Sequence, residues 1–344
     1  FSMKGTNLNP TVVARLKENT IAPGGLHFFD ISNSNVGPRE LSLISDCIKA
    51  NYNANEGMGP LISADFSGNI ICGVDLLLNG TPDSEGLNDF VNMLIFMGQM
   101  SRLRKISLAM NYLDVKSFSI LSKLLTKGPN SIVELNLRDC GATSESIEKL
   151  VEGLKVTKSL TSLDLRQNSI GPEGCKHLAE VFLVSHRLKL LNLNECDIGE
   201  EGACLIAKCI QNNFGLEILS LNDNEIGDKG AETIGSMLKI NSKLMHLDLQ
   251  ENCIGFEGIK SISKGLFTNR TLIYLGLQWN DMTDKGAEIL GESLKVNNIL
   301  KSVHVVGNPV TKNGCKVLIQ SGMTNDDKPM DLDLGFAISK ESLK

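Results

Sequence analysis

The sequence predicts an α/β solenoid of about ten strand–helix units, with a parallel sheet inside and helices outside. Three observations carry that prediction. A leucine frame recurs every 28 residues, asparagines close the frame at one position, and apolar residues at helix spacing fill the interval that follows. Self-similarity at such a period marks repeat architectures, in which one unit cannot bury its apolar face alone and stacked units share a core. The length of 344 residues would by itself suggest two domains at roughly 150 residues each, and the repeat displaces that prior.

Taken in order, residues 1–25 are expected to hold a tag remnant (Phe1-Ser2 before Met3) and an N-terminal cap. Residues 26–320 are expected to form the solenoid, irregular over 26–131 and regular over 132–320. Three looser copies start at Leu26, Leu61 and Leu103, with spacings of 35 and 42 residues between them and 29 to the next copy. The extra length includes the polar, glycine-rich stretch Asn51 to Pro60, read as a loop. A second excursion from Cys72 to Gly86 precedes an amphipathic helix on Leu87, Phe90, Val91, Leu94 and Ile95. Long excursions from a regular solenoid often carry function, and drift near a cap is the competing reading.

The strict copies start at Ile132, Leu160, Leu188, Leu216, Leu244, Leu272 and Leu300. From Leu160 the frame reads LxxLxLxxNxI, and its LxL alternation is a short strand with leucines on one face. Asn168, Asn224, Asn252, Asn280 and Asn308 close the strand, where a buried amide can satisfy backbone groups; Cys140 and Cys196 stand at the same place. Cys175, Leu178, Ala179 and Phe182 then recur at helix spacing, as do Ile206 and Ile210, Ile234 and Leu238, Ile262 and Leu266, and Leu290 and Leu294. Gly174, Gly202, Gly230, Gly258, Gly286 and Gly314 share one register and predict close helix-to-strand packing. Asn213, Asn241, Asn269 and Asn297 share another, read as a left-handed helix stop. Residues 321–344 are expected to be a C-terminal cap, with one further degenerate strand over Asp331 to Leu334.

These residues resemble the leucine-rich repeat family, specifically its ribonuclease-inhibitor-like class of 28-residue units, over roughly residues 26–320. The resemblance implies a horseshoe-shaped solenoid that binds other proteins through its concave face. The early copies are also similar to those of Ran GTPase-activating proteins, through Ala64-Asp65-Phe66-Ser67 and Leu103 to Asn111. That family carries a catalytic arginine after a loop glycine. The matching glycine here is Gly73, followed by Val74, while Arg102 and Arg104 match no motif position. Segments of larger innate-immune sensors or cytoskeletal regulators use similar repeats for ligand sensing.

Composition narrows the function. A net charge of -6 and a pI near 5.5 oppose nucleic-acid binding and polybasic attachment to a membrane. No apolar run approaches the roughly 18 residues of a membrane span, and the start lacks a signal-peptide pattern. The nine cysteines are odd in number and lack a CxxC pair, which reads as reduced thiols in a cytoplasmic protein. No phosphate loop, nucleophile elbow or HExxH is present, and the five histidines lack metal-ligand spacing. The sequence therefore points to no catalytic residue, metal or cofactor.

The residues flanking and between the frame leucines are expected to project from the concave sheet. They hold nine acids (Asp30, Asp65, Glu134, Asp139, Asp164, Glu195, Asp223, Asp248 and Glu251) and three bases (Lys105, Arg138 and Arg166). That balance of -6 leaves 31 acids and 31 bases elsewhere, so the whole surplus falls on these positions. Glu195, Asp223 and Glu251 stack in one column with Trp279 next, and Tyr274 lies on the same repeat as Trp279. Arg138 and Arg166 form a basic step, and His246 and Asp248 share a strand. Stacked like charges favour a partner with a basic face, and Trp and Tyr are common interface anchors. These nine residues, Arg138, Arg166, Glu195, Asp223, His246, Asp248, Glu251, Tyr274 and Trp279, are the expected partner-binding set of a non-catalytic scaffold.

Overall fold

Every leucine frame folds as a three-residue strand that begins two residues after its opening position. The computed structural model describes Ser2 and residues 4–5, 27–54, 61–72, 82–98, 101–322 and 330–335. Its strands are β1 (Phe28–Asp30), β2 (Ser63–Asp65), β3 (Lys105–Ser107), β4 (Glu134–Asn136), β5 (Ser162–Asp164), β6 (Leu190–Asn192), β7 (Ile218–Ser220), β8 (His246–Asp248), β9 (Tyr274–Gly276), β10 (Ser302–His304) and β11 (Asp331–Asp333). The helices are α1 (Pro38–Ala54), α2 (Glu85–Met97), α3 (Val115–Lys127), α4 (Ser144–Val156), α5 (Gly171–Val184), α6 (Gly199–Ile210), α7 (Gly227–Leu238), α8 (Phe256–Leu266), α9 (Asp284–Val296) and α10 (Lys312–Gly322). The further strand expected near Asp331 is β11, paired with β10. The opening Leu26 and residues 55–60 lie outside the described residues, and the polar stretch begins as helix, since α1 runs to Ala54.

The chain divides into two compact units, Phe1–Ser169 and Ile170–Lys344. In the first, β1 to β5 pair in parallel and in sequence order, with Leu135 opposite Leu163. In the second, β6 to β11 do the same, with Leu191, Leu219, Leu247, Leu275 and Val303 in one row. The middle residue of each of β6 to β10 is buried under the helices, while in β6, β7, β8 and β10 its neighbours are half-exposed on the open face. Such short strands persist because the ladder continues past them. The Leu193 and Glu195 N–H groups donate to the Ser220 and Asn222 carbonyls of the next repeat.

Two asparagine ladders tie successive repeats together. Asn252, fully buried, donates from Nδ2 to the Leu221 and Gln250 carbonyls at 2.8 and 2.9 Å. Its Oδ1 accepts the Asn224 and Ile226 N–H groups at 3.0 and 3.3 Å. Cys140 replaces this amide in part, its thiol donating to the Leu108 carbonyl at 3.2 Å. None of the nine cysteines, all among the described residues, is in a disulfide.

The second asparagine register does not stop helices in the left-handed conformation. None of Asn213, Asn241, Asn269 or Asn297 has a positive φ, and all four are buried. Asn241 Nδ2 reaches back to the Ile210 carbonyl at 2.7 Å, while its Oδ1 accepts the Lys243 and Leu244 N–H groups at 2.9 and 2.8 Å. A helix ends with unpaired carbonyls, and here the next repeat's amide takes one of them. The glycine register is likewise corrected: its close approach is to the entry turn and the preceding helix. A Cβ on Gly258 would stand 2.6 Å from Ile254 Cγ2 and 2.9 Å from Ala231 Cβ. No helix of the described residues is long and apolar enough to cross a membrane.

Candidate functional site

The expected acidic column lies at the edge of the second unit's sheet rather than on the strands. Glu195, Asp223 and Glu251 each follow the end of a strand by three residues, and Trp279 takes the same place after β9. All four have φ near the left-handed value, 53 to 54°. That conformation strains residues with a Cβ, and it holds here because their N–H groups donate to Asn222, Gln250, Gln278 and Val306 of the following repeat. The turn geometry adds a second row that the four-position reading missed. Asp197, Glu225, Cys253 and Asp281 are exposed two residues further on, across the buried ladder residue. The 28-residue register alone would have revealed this row.

Crowding of these acids has a measurable consequence. The Asp223 carboxyl is held above the ordinary carboxylate range, first by desolvation and then by the charges of Glu251, Glu195, Glu225 and Asp197. Trp279 ends the column. Its indole is 59% exposed and lies across Gly307, where a Cβ would stand 2.5 Å from ring Cδ2. Glycine at 307 therefore leaves the space that the ring occupies.

The open face beside this edge carries an aromatic row. His246 stacks on Tyr274 with centroids 5.9 Å apart, and Tyr274 meets His304 edge-on at 5.1 Å. Burial is the leading cause of a raised Tyr274 phenol pKa, with the Asp248 charge next. His304 Nδ1 is 3.3 Å from Gln278 Nε2, and its Nε2 is 2.9 Å from Ser302 Oγ. His304, Gln278 and Ser302 were not among the expected site residues; only coordinates show that they converge on Tyr274.

Asp248 departs from the habit of its register. In three other repeats the equivalent side-chain oxygen takes the N–H two residues on: Asn136 from Arg138 at 3.0 Å, Asp164 from Arg166 at 3.1 Å, Asn192 from Asn194 at 3.0 Å. After β7 the Asn222 N–H goes instead to Asn194 Oδ1 at 2.8 Å. The N–H that Asp248 would take, that of Gln250, instead donates to Asn222 Oδ1 at 3.2 Å. Asn222 Nδ2 donates to Asp248 Oδ2 at 3.0 Å. The other carboxylate oxygen, Oδ1, is shielded from solvent and accepts no hydrogen bond from the described residues.

The basic step lies in the first unit and its charges are engaged locally. Arg138 donates to Gln167, and Arg166 pairs with Asp164 at 3.2 Å. Lys105 pairs with Glu134 at 2.8 Å. Gly73 and Val74 lie outside the described residues, and Arg102 and Arg104 are exposed. No group of three His, Cys, Asp or Glu side chains among the described residues is placed to hold a metal.

The Leucine Rich repeat family matches at residues 158–179, 184–207, 212–235, 241–263 and 268–291, in phase with strands β5 to β9 and the helices that follow them. These five segments are leucine-rich repeats. Among solved structures, this chain is similar to an internalin (inlF) from Listeria monocytogenes, at 15% identity over 97% of this chain and 86% of that one, with a TM-score of 0.49. It is similar to the Leiomodin-1 Actin-Binding Site 2, at 21% identity over 45% of this chain and 89% of that one, with a TM-score of 0.39. It is also similar to the tropomodulin C-terminal domain of Caenorhabditis elegans, at 16% identity over 44% and 91% of the two chains, with a TM-score of 0.38. Comparison with curated protein sequences yields no match.

Proposed function

We propose that this protein is a non-catalytic interaction scaffold, cytoplasmic and of the ribonuclease-inhibitor-like class, that takes a partner with a basic face along the acidic edge of its second unit. The observation that carries the reading is the stacking of Glu195, Asp223 and Glu251 at one turn position with Asp197 and Glu225 in the adjoining row; desolvation first, and then these charges, hold the Asp223 carboxyl above its ordinary range. Cationic groups from a partner relieve the repulsion among these acids and are steered toward them. Trp279, exposed and lying across Gly307, supplies an apolar anchor at the end of the column. Nine cysteines without a disulfide among them favour a reducing compartment.

The test is capture of partners from cell extract by the immobilised protein, read by mass spectrometry. The triple variant Glu195→Lys, Asp223→Lys, Glu251→Lys is compared with the unaltered chain at matched circular dichroism. The expected outcome is loss of the partner in the variant and binding that weakens as salt rises. Retention by a folded variant, or indifference to salt, would overturn the proposal.

A further inference from the structure

The open face at β9 combines three departures from the register, and the Asp248 and Gln278 side chains close over the bare backbone of Gly276. Asp248 Oδ1 and Gln278 Oε1 are both shielded from solvent, and neither accepts a hydrogen bond from the described residues. Both border Gly276, where a Cβ would collide with Asp248 Oδ1 and stand 2.9 Å from Gln278 Oε1. The register places Asn, Asp, Ser or His at this strand position in the other strict repeats, so only here is the floor bare backbone. Tyr274, on the same strand, offers an aromatic wall.

Two neighbouring oxygens without donors are a destabilising arrangement unless something supplies N–H groups. The supply must come in a planar pair, because both acceptors border one bare backbone position. It must be cationic, because Asp248 contributes a carboxylate whose usual structural task has passed to Asn222. A ring beside the acceptors favours a flat, weakly hydrated cation. A guanidinium has these properties and an ammonium does not.

We propose that Asp248, Gln278, Gly276 and Tyr274 form a guanidinium pocket that receives one arginine side chain of the protein partner. The inference rests on the interaction reading above and names the partner's anchoring residue. Rotation of the Gln278 side chain, whose amide nitrogen is 3.3 Å from His304 Nδ1, admits the arginine. The guanidinium then donates to Asp248 Oδ1 and to the rotated Gln278 Oε1, with the Tyr274 ring, stacked on His246, beside it. The acids at Glu251 and Asp223 steer any cation toward this edge; the pocket makes the choice of arginine.

The experiment uses the full chain and three acetylated, amidated tripeptides, Gly-Arg-Gly, Gly-Lys-Gly and Gly-citrulline-Gly. Binding is followed by the fluorescence of Trp279, the single tryptophan, and by the Tyr274 ring signals in NMR. The arginine peptide is expected to bind at least roughly tenfold more tightly than the other two, and Asp248→Asn and Gly276→Ala are each expected to abolish that preference. Asp248→Asn keeps the side-chain shape, so it decides the matter if Gly276→Ala fails to fold. Equal affinity for arginine and lysine, or a preference that survives Asp248→Asn, overturns the pocket. Those outcomes leave the scaffold reading standing if the triple charge reversal still abolishes partner capture. An arginine preference that persists while partner capture ignores the charge reversal would retain the pocket and remove the acidic-edge reading.

Discussion

Replacement of Asn252 by alanine tests whether the buried amides hold the repeats together. The Asn252 side chain makes four hydrogen bonds, two as donor and two as acceptor, and none of the residue's surface is exposed. Alanine leaves the Asn224 and Ile226 N–H groups buried without acceptors and the Leu221 and Gln250 carbonyls without this donor. Two stranded N–H groups at about 1–3 kcal/mol each give a loss on the order of 2–6 kcal/mol. Cysteine should lose less. At Cys140 the thiol keeps the Leu108 carbonyl as a partner, and the Asn111 N–H is directed at the sulfur. Asn252→Cys is therefore expected to cost about half as much as alanine, on the order of 1–3 kcal/mol. The assay is urea unfolding followed by circular dichroism, with exposed Asn212→Ala as a control expected to stay within about 0.5 kcal/mol of the parent. A loss below about 1 kcal/mol for Asn252→Ala, or cysteine as damaging as alanine, would refute the ladder as the source of cohesion.

Three further outcomes are expected. Gly258→Ala should destabilise by about 1–3 kcal/mol in the same assay, because overpacking against Ile254, Asp228 and Ala231 outweighs a helix-propensity gain of about 1 kcal/mol; a stabilised variant would refute the packing explanation. Exposed Cys253 should react with Ellman's reagent in the native protein, whereas buried Cys72 and Cys140, their pKa values raised to about 11 and about 12, should react only on unfolding. Asp223 should titrate above its ordinary 3.8 in a carboxyl NMR titration, and Glu195→Gln with Glu251→Gln should lower the midpoint. Since the folded state binds this proton more tightly, the repulsive penalty is present at neutral pH and is relieved as pH falls through the folded-state pKa. An unmoved midpoint would remove Glu195 and Glu251 as causes of the shift.

The strands were legible because a fixed frame of leucines, repeated every 28 residues, leaves one possible register, and Leu163, Leu191, Leu219 and Leu247 occupy it. The buried role of Asn252 was legible for the same reason. The role of Asn241 was not, because an asparagine after a helix serves equally as a left-handed stop or as a donor to an earlier helix. The choice depends on Ile210, 31 residues back, coming within reach. The acidic column was legible as a column but not as an edge. Nothing in the spacing shows that the strand ends three residues before Glu195 and that the backbone then turns left-handed. The convergence of Asp248, Gln278 and His304 depended on side-chain directions across three strands, which no one-dimensional pattern carries.

The two ladders also explain why the site is where it is. Between them, the buried asparagines satisfy backbone groups at the strand's end and at the helix's end, so the open-face residues between have no structural task that every repeat must repeat. Where a task exists, as in the turn capped by Asn136, Asp164 or Asn192, the side chain is committed to its own backbone. Asn222 performs that task for Gln250 from the neighbouring repeat and so frees one oxygen of Asp248. Gly276, next in register, gives up the side chain that would have filled the space. Either change alone would be drift within a tolerant position. Their coincidence on adjacent strands, beside Tyr274 and below Trp279, leaves an unpaired carboxylate oxygen facing bare backbone, an arrangement that stability alone gives no reason to keep.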